Sequence, residues 1–69
     1  MRLDLHGVRH YRAELEVENF VLLNQGSVPL TIICGNSQRM IAIVEDVLKK
    51  IEPARWEQVR WGVFKVYRV

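Results

Sequence analysis

An acid, an imidazole and a glycine stand close together in "LDLHG", residues 3 to 7. Residues of these types can share general acid–base chemistry, a carboxylate orienting an imidazole that takes or gives a proton. Asp4 is of a type to hold a divalent metal, magnesium or manganese, or to orient His6, and an imidazole moves protons near neutral pH. On a strand, residues two apart share a face, so Asp4 and His6 point the same way, and Gly7 permits a sharp turn with positive φ. Asp4 has an equal alternative as a partner for backbone or arginine groups. His10 lies four residues beyond His6, a metal-binding spacing on one continuous helix, but Gly7 separates strand from helix here. His10 is expected to face the core.

A second polar group is "CGNS", residues 34 to 37. Backbone N–H groups of Gly35, Asn36 and Ser37 precede a helix, and a helix N-terminus attracts anions. Ser37 or Asn36 has the alternative role of N-cap. Cys34, at the end of an apolar run and with no evident base, reads as a small buried hydrophobe. Arg9, Arg12 and Arg39 stand near the two helix starts, where a guanidinium forks well onto phosphate; the alternative is solvated surface, paired with Glu16 or other acids. Trp56, Trp61, Phe64 and Tyr67 are of a type to stack on unpaired bases or to complete a small core or a dimer contact.

The elements that must carry these residues follow from patterning. Alternation from Arg2 to His6 predicts a strand, and Ala13, Val17, Phe20, Val21 and Asn24 form one stripe of a helix over Val8 to Asn24. Gly26 and Pro29 stop it. "LTIIC", residues 30 to 34, predicts a central strand covered on both faces. Ile41, Val44, Leu48 and Ile51 predict a second helix over Gln38 to Ile51, with Lys49 and Lys50 at its cation-favouring end and Pro53 terminating it. A short strand over Trp56 to Val59, a tight turn at Trp61 and Gly62, and a closing strand from Val63 complete a β-α-β-α-β-β order. The two strands joined by the crossover helix should run parallel, which puts "DLHG" and "CGNS" on one rim, where α/β sheets bind ligands. The fold class is a single two-layer α/β domain over residues 1–69, with a mixed sheet and two helices.

With 69 residues the chain has room for one small core near the lower limit for folding alone, so self-association as a homodimer is a reasonable expectation. A 49% hydrophobic share with 26% charged residues excludes disorder by composition. The lone Cys34 makes no internal disulfide, and neither a signal peptide nor a membrane-spanning run is evident, so a reducing, cytoplasmic setting with no membrane partner is expected. A net charge of +2 tolerates an anionic partner without the dense basic footprint of an obligate nucleic-acid binder.

In "LDLHG", in Ala13, Val17 and Phe20 at helical spacing, in "LTIICGNS" and in the closing "GVFKVYRV", the chain resembles the small MutS-related (Smr) domain family over nearly its whole length. Cys34 stands where that family usually has threonine or histidine, and Ser37 where it has a second glycine. The resemblance implies a fold similar to the C-terminal domain of bacterial translation initiation factor three and a nucleic-acid partner, DNA or RNA. It also implies endonuclease activity assisted by a divalent metal. Asp4 and His6 would be the catalytic pair, Asp4 a candidate metal ligand, and Gly35 the close-approach glycine. Gly7, Arg9, Arg12, Gly35, Asn36, Ser37 and Arg39 would contact the nucleic acid. A non-catalytic nucleic-acid-binding module using the same rim, and an interaction or dimerisation domain using the aromatic C-terminal hairpin, are the alternatives.

Overall fold

The computed structural model describes residues 1–52 and 54–69, so the assignment of Pro53 as a helix stop lies outside the described residues. The observed order is β1 (Arg2–Asp4), α1 (His10–Leu23), a short 3-10 turn (Gln25–Ser27), β2 (Leu30–Ile33), α2 (Gln38–Lys50), β3 (Arg55–Arg60) and β4 (Val63–Arg68). The expected order of strands and helices is present. The four strands form one mixed sheet in the order β1-β2-β4-β3, with β1 parallel to β2 and both other pairings antiparallel.

Several boundaries differ from the sequence expectation. Strand β1 stops at Asp4 because the chain turns: the His6 N–H donates to Asp4 Oδ1 (2.9 Å) and the Val8 N–H to the Leu5 carbonyl (3.0 Å). Since Arg9 is still extended (φ −70°, ψ 144°) and stands at the N-cap, α1 starts at His10 instead of Val8. At the other end Asn24 is not part of the helix but caps it, its side-chain amide donating to the Phe20 carbonyl at 2.7 Å. Strand β3 runs one residue further at each end than expected, to Arg55 and Arg60, supported by its pairing with β4.

The core lies between the helices and one face of the sheet. Leu30, Ile32, Phe64 and Val66 meet Ala13, Val17 and Val21 of α1 and Ile41, Val44 and Leu48 of α2, all buried. Phe20 and Ile51 pack at the edge of this cluster rather than inside it. Strand β2 corrects an expectation: it is central, but covered on one face only, with Leu30 and Ile32 buried and Thr31 and Ile33 partly open. Both helices pack on the same side, so period-two alternation leaves the second face to solvent. On that open face the Tyr67 hydroxyl donates to Glu57 Oε1 (2.7 Å), joining β4 to β3. No described helix is long and apolar enough to cross a membrane.

Candidate functional site

Because β1 and β2 are parallel neighbours, the turns that leave them emerge side by side. The first, Leu5 to Val8, is closed by the Val8 N–H on the Leu5 carbonyl, with Gly7 at φ +85°. A positive φ at the third position of a hydrogen-bonded four-residue turn is the type II pattern, which strongly favours glycine. In the second turn Gly35 has φ +73°, and Ser37 caps α2 by accepting from the Met40 N–H at 3.1 Å. The two turns touch: His6 Nδ1 lies 3.7 Å from where a Cβ on Gly35 would sit.

A third segment holds the second turn in place. The Cys34 N–H donates to the Gly62 carbonyl (2.7 Å) in the turn between β3 and β4. Gly62 (φ +78°) lies so close to the Gly35 backbone that a Cβ there would overlap the Gly35 carbonyl oxygen. Beside it the Trp61 indole N–H donates to Asn36 Oδ1 at 2.8 Å. The sequence located this turn but not its contact with "CGNS"; a glycine directly after a tryptophan was the signal it offered.

Between the turns lies a cleft of about 340 Å³. His6, Gly7 and Val8 line it from the first turn, Gly35, Asn36 and Ser37 from the second. Leu5, Cys34 and Met40, buried in the core, also border it. So does His10, which corrects an expectation: it is exposed, because the α1 stripe extended one turn beyond Ala13 passes the core and emerges at the cleft. None of the lining residues is acidic.

The remaining candidates lie outside this cleft. Asp4 is exposed and its Oδ1 is occupied by the His6 N–H, the backbone-partner role that was its alternative. Arg12 is exposed and pairs with Glu16 at 3.5 Å. Arg9, at the N-cap of α1, and Arg39, in the first turn of α2, are exposed and take no part in the ion pairs found among the described residues. The structure thus brings together His6, Gly7, Gly35, Asn36 and Ser37, and leaves Asp4 and the three arginines out of the cleft's lining.

The lining of the cleft offers a magnesium or manganese ion no carboxylate. Those ions take oxygen ligands, carboxylates above all; the cleft's side-chain donors are two imidazoles, one thiol, the Asn36 carboxamide and the Ser37 hydroxyl, and the last two already accept from the Trp61 indole and the Met40 N–H. Among the described residues no three His, Cys, Asp or Glu side chains converge. Burial pushes the Cys34 thiol up to about 11, so it stays protonated at neutral pH and is a poor nucleophile and a poor ligand. Alkylation of Cys34 at pH 8 should therefore run roughly a hundredfold slower in the folded protein than in denaturant, as timed by mass spectrometry. A raised folded-state value means that the fold holds the proton more tightly than the unfolded chain. The associated stability is complete below pH 9 and is lost as pH rises toward 11. Alkylation as fast in buffer as in denaturant would show that the thiol is not shielded.

Comparison of the chain with known proteins finds no matching family model, no matching curated protein and no matching solved structure.

Proposed function

We propose that the rim cleft receives a backbone phosphate of DNA or RNA, as the Smr resemblance of "LDLHG" implies. The observation that carries this reading is an acid-free cleft between two glycine turns, bordered by His10, the first residue of α1, and by Ser37 and Met40 at the start of α2. Helix N-termini present unpaired N–H groups and the positive end of the macrodipole, so two of them beside one cleft favour an anion. Exposed Arg9 and Arg39 stand next to those helix starts and supply further charge to neighbouring phosphates. A nucleic acid rather than a lone phosphate ion uses both cleft and arginines.

Cleavage is the second reading, and what favours it is the pair of imidazoles, His6 and His10, lining the cleft. One takes the proton of the attacking oxygen and the other donates a proton to the leaving oxygen, so proton transfer in the cleft needs no carboxylate. Asp4 then acts through the turn that aims His6, not as a metal ligand.

The test is binding of labelled single-stranded, duplex and branched DNA and RNA, each with EDTA, magnesium or manganese. Affinity should fall steeply with salt, and Arg39→Ala should flatten the slope of log affinity against log salt by about 1 while weakening all sequences alike. Salt-independent binding, or none, would remove the nucleic-acid reading; products appearing only with metal would restore the metal-assisted endonuclease.

A further inference from the structure

We infer that Trp61 is a stacking platform for an unpaired base beside the cleft, so that the site takes single-stranded rather than duplex nucleic acid; this rests on the phosphate reading above. The four aromatic residues of the C-terminal segment are used differently. Phe64 is fully buried, and Trp56 packs on it with ring centroids 5.8 Å apart. Tyr67 spends its hydroxyl on Glu57. Trp61 is 60% exposed, yet its ring is tied to the cleft wall through the 2.8 Å bond to Asn36.

The geometry of that bond matters. An indole N–H lies in the plane of its ring, so the bond to Asn36 engages the edge of Trp61 and leaves its faces for stacking. Anchoring the ring also lowers the rotamer entropy lost when a base docks. Backbone bonding between Gly62 and Cys34 fixes the turn that carries the ring, so the platform and the phosphate cleft move as one piece. Arg60, the preceding residue, is exposed and takes no part in the ion pairs found among the described residues.

A base inside a duplex has both faces covered by its neighbours, so apart from the two end pairs only an unpaired base can lie on Trp61. The charge argues the same way. A net charge of +2 is modest for gripping a duplex, whereas one cleft, a few arginines and an aromatic face suit a single strand.

The experiment uses fluorescein-labelled strands of about ten nucleotides, as DNA and as RNA, a blunt duplex, and a strand with an abasic stretch that keeps the phosphates but lacks the bases. Trp61→Ala should weaken binding of the base-bearing strands roughly five- to hundredfold and leave binding of the abasic strand unchanged. Trp61→Phe, which keeps a ring but loses the anchoring N–H, should fall between wild type and Trp61→Ala. In a Trp56→Phe background, emission from Trp61 should be quenched by the base-bearing strand and not by the abasic one. Base-bearing strands bound equally by wild type and Trp61→Ala, with Trp61 emission unmoved, would overturn the platform while leaving the phosphate cleft standing. Equal losses on base-bearing and abasic strands would also overturn it, by assigning Trp61 a structural role. If the wild type bound no strand at all, the phosphate reading itself would fall and the platform with it.

Discussion

Replacing Gly62 by alanine should cost about 2 to 4 kcal/mol of folding stability, a large effect for a substitution of one methyl group in a turn. Two costs add. Gly62 has φ +78°, where a Cβ brings a penalty of about 1 to 2 kcal/mol. The added atom would also overlap the Gly35 carbonyl oxygen, which is backbone and cannot rotate away. To make room, the turn between β3 and β4 must withdraw from the second loop, weakening the Cys34 N–H bond to the Gly62 carbonyl, worth about 1 kcal/mol. A 69-residue domain has a total of roughly 3 to 10 kcal/mol, so the variant should lose a large share of its stability.

Two other glycines serve as controls. Gly7 shares the positive φ (+85°) but has open space around it, so Gly7→Ala should lose only the conformational part. Gly26 has neither positive φ nor a close neighbour, and Gly26→Ala should be neutral or slightly stabilising. Urea denaturation of the three variants measures the ranking Gly62, Gly7, Gly26. Equal midpoints for Gly62→Ala and Gly26→Ala would mean that the hairpin turn does not press on the second loop.

The second large effect concerns His6. If the cleft cleaves a phosphodiester, His6→Ala should lower the single-turnover rate at least a hundredfold, the usual scale for losing a positioned acid or base. Binding should weaken much less, because the backbone N–H groups and arginines remain. His6 is exposed and its side chain makes no hydrogen bond among the described residues, so the variant should denature like the wild type. His10→Ala belongs beside it: the two-imidazole scheme expects a comparable rate loss, whereas a scheme with His6 alone expects none. A wild type that binds every strand and cuts none in EDTA, magnesium or manganese would make this a binding module.

Much of the fold was legible because its signals are local. Alternation around Leu3 and Leu5, the three- and four-residue steps of Ile41, Val44 and Leu48, and glycines past the strands each report on a few adjacent residues. The crossover rule then carried those elements into three dimensions, which is why "DLHG" and "CGNS" were expected on one rim. Less legible was the use of each polar group. Asp4 and His6 share a face only if the strand continues. It stops at Asp4 once that carboxylate accepts the His6 N–H, a choice that depends on the Val8–Leu5 turn bond.

By itself, then, the amino-acid sequence determined the element order, the parallel first pair of strands, a positive-φ turn at Gly7 and an N-cap at Asn36 or Ser37. All of these follow from local sterics, periodicity and chain connectivity. Only the tertiary structure decided which face of β2 is covered, that His10 opens onto the cleft, that the Gly62 backbone locks the second turn, and that Trp61 stands beside it. The Trp61–Asn36 bond spans 25 residues, and the Gly62–Gly35 approach a similar distance along the chain. Such contacts exist only once β4 pairs beside β2, because strand pairing brings their ends together and no local pattern in either segment encodes the other's position.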